Sequence, residues 1–182
     1  PLGLKNSALG LPEPWRQRAA WIYSGHKEQD RAVFLFNLPP IRSAIIPAAT
    51  LQSTARDLAI FYQMLLNGGV YAGQRYVQAA TIQTATSMGY EGPDETIGKV
   101  MRWALGFHVG GAYPGGDPAL QPYGRPSSAK TFGHAGQGSC IAWADPEAQL
   151  VLAFTCNRLL DSDGAQQRWT ELANAAWEAI QD

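Results

Sequence analysis

Apolar positions along this chain change their spacing from segment to segment, and each spacing predicts a different element. Leu58, Phe61, Tyr62 and Leu65 recur at helical intervals, which predicts an amphipathic helix over 54–67. Ser53 or Thr54 can accept its first free amide hydrogens, with Asp57 three after Thr54 as in a capping box, and Gly68-Gly69 supplies a left-handed stop. Before it, Pro12, Pro14, Pro39, Pro40 and Pro47 break any long helix, so residues 1–47 read as a structured, loop-rich lead-in whose stretch Ala32 to Leu38 resembles a strand. After it, the glycines and prolines of 110–126, with Tyr113 and Tyr123 among them, predict a long surface loop within one domain.

Two runs suited to strands follow, 139–144 and 150–156, joined by Asp145-Pro146-Glu147-Ala148 as an antiparallel hairpin. Pairing Ala144 with Gln149 sets Cys140 opposite Ala153, points the thiols of Cys140 and Cys156 to opposite sheet faces, and predicts free cysteines. Leu150, Leu152 and Phe154 would form one apolar face, and Val151 and Ala153, with Ile141 and Trp143, the other. Such a sheet is covered on both sides. One cover is a C-terminal helix with the stripe Trp169, Leu172, Ala176 and Ile180, capped by Ser162 or Asp163. The helix over 54–67 could supply the other, yet little further helix is predicted, and this shortage of covering material hints at a missing half.

Composition narrows the function. The chain has 182 residues, fourteen Lys plus Arg against fifteen Asp plus Glu, and 46% hydrophobic residues. That length suits one domain or a large piece of one. The near-neutral charge without a basic cluster argues against a nucleic-acid or anionic-membrane surface as the main partner. No run approaches the roughly 18 apolar residues that span a bilayer. Two cysteines give neither a metal pattern nor a disulfide framework, so no metal or cofactor is expected and the compartment stays open. Phosphate-loop, zinc-peptidase, dinucleotide and nucleophile-elbow motifs are all missing.

The informative stretch is Thr131-Phe132-Gly133-His134-Ala135-Gly136-Gln137-Gly138-Ser139, one histidine among small residues just before the hairpin. Glycine at this density permits close backbone approach. A strand edge of this kind can aim an amide such as that of Gln137 at a carbonyl oxygen that becomes negative in acyl transfer. The plainer account is a glycine-rich turn with His134 as a hydrogen-bonded structural residue.

Taken in order, Pro1-Leu2-Gly3-Leu4, Ala20-Trp21-Ile22-Tyr23, Ser53-Thr54-Ala55-Arg56-Asp57-Leu58-Ala59 with Asn67-Gly68-Gly69, Gly133-His134-Ala135-Gly136, and Asp145-Pro146 with the closing helix resemble the C-terminal half of the serine β-lactamase and D,D-peptidase family. Class C β-lactamases and related esterases are the most similar branch. The resemblance implies an α+β fold, an antiparallel sheet flanked by helices of the β-lactamase/transpeptidase kind, with residues 1–182 as its C-terminal portion. It implies that His134-Ala135-Gly136 occupies the place of the family's Lys-Thr-Gly strand. By the same resemblance the backbone amide of Gln137 is one of two oxyanion donors, and Tyr23 belongs to the substrate-facing wall.

Departures from the family pattern matter as much. Ser-x-x-Lys occurs at Ser24 to Lys27 and at Ser127 to Lys130; with nine serines and four lysines, about 0.2 chance matches are expected. Neither opens a buried apolar helix ahead of the Pro-Leu-Gly element, and Tyr23-Ser24-Gly25 lacks the asparagine of Tyr-x-Asn. His26 sits in a charged turn and reads as solvated, and His108, in an apolar strand-like stretch, reads as structural. The expectation is therefore that nucleophile, lysine and tyrosine lie upstream of Pro1, in a missing N-terminal half or a second chain, although a natural truncation leaves the same sequence. The function so implied is acyl transfer through a seryl ester on a small-molecule ester, amide or β-lactam-like substrate. The alternative is a non-catalytic module that keeps the fold and binds a ligand or partner.

Overall fold

A computed structural model describes residues 2–111 and 121–180. The central part of the expected 110–126 loop, Tyr113 included, lies outside the described residues.

The lead-in is more helical than its prolines promise. Strand β1 (Ala8–Leu9) and strand β2 (Tyr23–Ser24) precede helix α1 (Asp30–Asn37) and the short helix α2 (Pro39–Ser43). The stretch expected as a strand over Ala32 to Leu38 is therefore mostly α1. Asp30 stands in its first turn, where a negative charge suits the helix dipole. Leu38, pressed by Pro39, turns out to φ −64°, ψ 129° and ends it. The buried Asn37 side chain accepts from the Ile22 amide at 3.0 Å and donates to the Ile22 carbonyl at 2.7 Å, pinning the segment that leads into β2.

Strand β3 (Leu51–Gln52) pairs with β1 and leads into helix α3 (Ala55–Leu66), which follows the predicted spacing closely. Thr54 caps it, its Oγ1 accepting from the Asp57 amide at 3.2 Å. Only that half of the capping box forms. The buried Asp57 carboxylate accepts instead from the Asn6 amide at 2.8 Å and from Ser7 Oγ at 2.9 Å, tying the lead-in to the helix start. Gly69, at φ 91°, closes the helix by donating to the Met64 carbonyl.

Beyond a small hairpin of β4 (Val70–Tyr71) and β5 (Gln74–Arg75), helix α4 (Ala79–Thr86) precedes strands β6 (Tyr90–Asp94), β7 (Lys99–Trp103), β8 (His108–Val109), β9 (Phe132–Ala135), β10 (Ile141–Asp145) and β11 (Leu150–Phe154). These six form one antiparallel sheet in the order β11-β10-β9-β8-β7-β6. Strand β12 (Arg158–Leu159) then pairs in parallel with β2, and helix α5 (Ser162–Glu178) closes the described chain.

The hairpin forms with a register two residues from the expected one: Asp145 pairs with Leu150 and Ala144 with Val151. The turn holds four residues, with Gln149 at φ 54°. Because the slip is even, the side chains keep their faces, and the two cysteines are free as expected. Ile141 and Trp143, however, share a face with their cross-strand partners Phe154 and Leu152, not with Val151 and Ala153.

Each face is covered. Ala142, Ala144 and Phe132 pack on Tyr62, Met64 and Leu65 of α3, with Ile82 of α4. Ile141 and Trp143 pack with Tyr123 on Ala173 and Trp177 of α5. The anticipated shortage of cover is thus made good at the sheet centre by α3, with α4 added. Along α5 the buried residues are Ala165, Ala173 and Trp177, while Ile180 is exposed, so the apolar stripe is rotated from the expected one. Asp161, one residue before the expected caps, accepts from the Gly164 amide at 2.9 Å. Among the described residues no helix is long and apolar enough to cross a membrane.

Candidate active site

Strand β9 carries the glycine-flanked histidine to the rim of the sheet and turns back into β10 over residues 136–140. Three hydrogen bonds fix this turn: the Gly136 amide to the Cys140 carbonyl at 2.7 Å, the Leu160 amide to the Gly138 carbonyl at 2.9 Å, and Trp169 Nε1 of α5 to the Ser139 carbonyl at 3.1 Å. The Gln137 amide, at its tip, donates to no acceptor among the described residues. A fixed turn with a free N–H is the arrangement that binds developing negative charge without reorganisation.

The glycines in this stretch divide by what they touch. A Cβ at Gly133 would lie 2.5 Å from the Ala142 carbonyl oxygen and 2.5 Å from Trp143 Cβ, and one at Gly138 would lie 2.3 Å from the Leu160 carbonyl oxygen. Their close approach is therefore to the protein's own backbone. At Gly136 a Cβ would meet nothing closer than 3.5 Å, so that position is open toward the cleft.

His134, Gly136 and Gln137 line one cleft of about 1,080 Å³, opposite Thr54, Leu58 and Tyr62 of the α3 side. Three of the four expected site residues are thus brought together. Tyr23 is not among the lining residues. It follows Ile22, which is, and its side chain is 57% exposed. His134 is exposed, with Nδ1 2.7 Å from the Ala135 carbonyl oxygen and its ring stacked on Trp103 at 5.9 Å between centroids and 29° between planes. Burial pushes the Tyr62 hydroxyl well above its ordinary pKa, opposed in part by the His134 backbone.

Two cations, Arg18 and Arg42, line the same cleft, and no Asp, Glu or Lys does among the described residues. Arg18 donates to Asn6 Oδ1 and lies over the Trp15 ring. Arg42 donates to the Ala20 carbonyl at 2.9 Å, and burial lowers its pKa. No sequence motif marks these arginines, because only the pairing of the lead-in strands with β3 and β12 folds them into the same cleft lining as His134.

The two Ser-x-x-Lys matches lie elsewhere. Ser24 Oγ donates to the His26 carbonyl at 2.5 Å within a short strand and turn, and Lys130 pairs at the surface with Glu147 at 3.2 Å. Neither serine and neither lysine lines the cleft. His26 lies 3.4 Å from Asp161 at the start of α5. His108 is 9% exposed and flanked by the Trp103 and Tyr123 rings, and burial lowers its pKa to about 4, with His134 and Arg102 acting in the same direction. It is a buried neutral histidine, as its sequence context suggests. Among the described residues no cluster of His, Cys, Asp or Glu could hold a metal.

Comparison with known proteins gives this architecture a family. The chain is 33% identical over 125 residues to the esterase/beta-lactamase LipL of Mycobacterium tuberculosis, covering 66% of this chain and 25% of that protein. Its fold matches a penicillin-binding protein homolog from Caulobacter crescentus with a TM-score of 0.75 and 27% identity, over 98% of this chain and 49% of that one. A family VIII carboxylesterase matches with a TM-score of 0.68 and 25% identity, over 95% of this chain and 48% of that one. The chain spans about a quarter of the curated relative and about half of each solved structure. A model of the family described as Beta-lactamase matches residues 1–176, and with its antiparallel sheet between helices the chain belongs to the Beta-lactamase family.

Proposed function

We propose that this chain forms one wall and half of the oxyanion hole of a serine hydrolase, completed by a segment outside residues 1–182 that brings the nucleophile. The observation that carries this reading is the unengaged Gln137 amide at the tip of a turn fixed by three hydrogen bonds at the cleft edge. An acyl donor enters with its carbonyl oxygen toward that amide. The seryl hydroxyl adds to the carbonyl carbon as a base takes its proton, and the negative charge on oxygen is met by the Gln137 N–H and the amide of the serine itself. Collapse expels the leaving alcohol or amine with that proton and leaves a seryl ester, which water then hydrolyses. Tyr23 is assigned to the outer rim of the wall, beside Ile22.

His134 stands where the family carries a permanent cation. Histidine in place of lysine removes that permanent charge from the pocket wall, which weakens capture of the carboxylate of a β-lactam or peptide and tilts the substrate class toward neutral esters or amides. A family VIII carboxylesterase among the similar structures is in keeping with ester turnover, while LipL is both an esterase and a beta-lactamase by name. The intact protein is expected to hydrolyse a p-nitrophenyl ester with a higher kcat/KM than a chromogenic cephalosporin, and His134→Lys is expected to narrow the gap by about tenfold. A strong wild-type preference for the cephalosporin would contradict the tilt.

A further inference from the structure

Trp103 ends β7, far in sequence from the glycine-rich turn, yet its ring is stacked on His134. Its indole is anchored from the other side, since Nε1 donates to Asp94 Oδ2 at 3.0 Å. Asp94 is itself held by the Ile97 and Thr96 amides, each 2.9 Å from Oδ1, and these bonds, with that from Trp103, hold its pKa below the ordinary carboxylate value. On the imidazole, Nδ1 faces the Ala135 carbonyl oxygen at 2.7 Å. A carbonyl only accepts, so Nδ1 carries the hydrogen, and in the neutral ring Nε2 is the acceptor nitrogen.

We propose that Trp103 is a positioning residue for His134: its indole, anchored on Asp94, stacks on the imidazole and, with the Ala135 carbonyl, holds the ring as the Nδ1–H tautomer with Nε2 available to the cleft. The inference rests on the reading of the cleft given above and deepens it. The titratable groups around the ring do not disturb the arrangement at neutral pH. His108 on β8 is neutral there, Arg102 on β7 is paired with Glu91 at 3.0 Å, and the Tyr62 hydroxyl on α3 stays protonated. In this tautomer His134 offers the substrate an acceptor. It therefore favours an acyl donor or leaving group that presents a hydroxyl or N–H at that point, and it disfavours a bare carboxylate.

The test reads the ring itself. In the intact protein labelled with 15N-histidine, long-range proton–nitrogen correlation recorded where the ring is neutral distinguishes the tautomers, and His134→Gln assigns the signal. The expected result is a predominantly Nδ1–H ring in the wild type that shifts toward Nε2–H in Trp103→Leu. A wild-type Nε2–H ring overturns the proposal, and an unchanged ring in Trp103→Leu overturns the part given to Trp103. Trp103→Phe keeps an aromatic face without the bond to Asp94 and covers the case in which Trp103→Leu does not fold. It is expected to lie between wild type and Trp103→Leu, and identity with wild type overturns the anchoring by Asp94. Turnover plays no part in this readout. An inactive protein with the Nδ1–H ring would sink the hydrolase reading alone, and an active one with the opposite tautomer would sink only this inference.

Discussion

Gly133→Val is expected to remove about 3 kcal/mol or more of folding stability and to abolish hydrolysis with it. A Cβ at Gly133 would sit 2.5 Å from the Ala142 carbonyl oxygen, 2.5 Å from Trp143 Cβ and 2.8 Å from Trp143 Cα. None of these can give way cheaply. Ala142 lies in the core under α3, and Trp143, fully buried, stacks on Trp177 at 5.8 Å under α5. A larger residue must therefore push β9 away from β10, which opens both apolar clusters and displaces the turn that carries Gln137. Gly136→Ala is the control, because its Cβ meets nothing nearer than Cys140 Cβ at 3.5 Å, an ordinary contact. Urea unfolding of both variants checks the contrast: Gly133→Val shifts the midpoint strongly and Gly136→Ala within about 0.5 kcal/mol of wild type. Equal shifts would refute the claim that the two glycines serve different ends.

Asp145→Ala is expected to cost about 3–5 kcal/mol. The carboxylate is fully buried and accepts from the Ser128 amide at 2.7 Å, Ser128 Oγ at 3.0 Å, Thr131 Oγ1 at 2.6 Å, the Glu147 amide at 2.8 Å and the Ala148 amide at 3.1 Å. Removing it strands the buried Thr131 hydroxyl and the half-buried Ser128 donors, and it releases the turn amides of Glu147 and Ala148. Burial by itself would raise its pKa, but the bonds from Thr131, Ser128 and Ala148 outweigh that and hold it below the ordinary value. The sign follows directly. With a folded pKa below the unfolded one of about 3.9, the stabilisation is fully present above that value and is lost as pH falls through the folded pKa. The stability gap between wild type and Asp145→Ala is thus expected to stay constant near neutrality and to shrink below about pH 4, as read by thermal melts across a pH series. A gap that widens on acidification would contradict the assignment.

What the sequence disclosed follows the range of each interaction. Helix α3 was legible because spacing, the Thr54 cap and Gly69 are all local, and α5 was legible up to a rotation of its stripe. The histidine turn stood out by its glycines, and His134, Gly136 and Gln137 do meet at one cleft. Helix α1 was hidden by its apolar run and by the prolines around it, and the role of Asn37 in pinning Ile22 is a contact across the fold. The hairpin register depended on Asp145 gathering amides within its own turn. Which glycines are required sterically could not be read either, since Gly133 faces β10 and Gly138 faces Leu160. Trp103 and the cleft arginines became visible only once the lead-in and the far strands were folded beside β9.

A crystal structure of the intact protein, treated with a phosphonate that labels the proposed nucleophilic serine, reads the oxyanion site itself. The expected result is a phosphonyl oxygen about 2.7–3.1 Å from the Gln137 amide nitrogen, with His134 along the same wall. An adduct on Ser24 or Ser127, or one whose phosphonyl oxygen points away from the Gly136 to Gly138 turn, would contradict it.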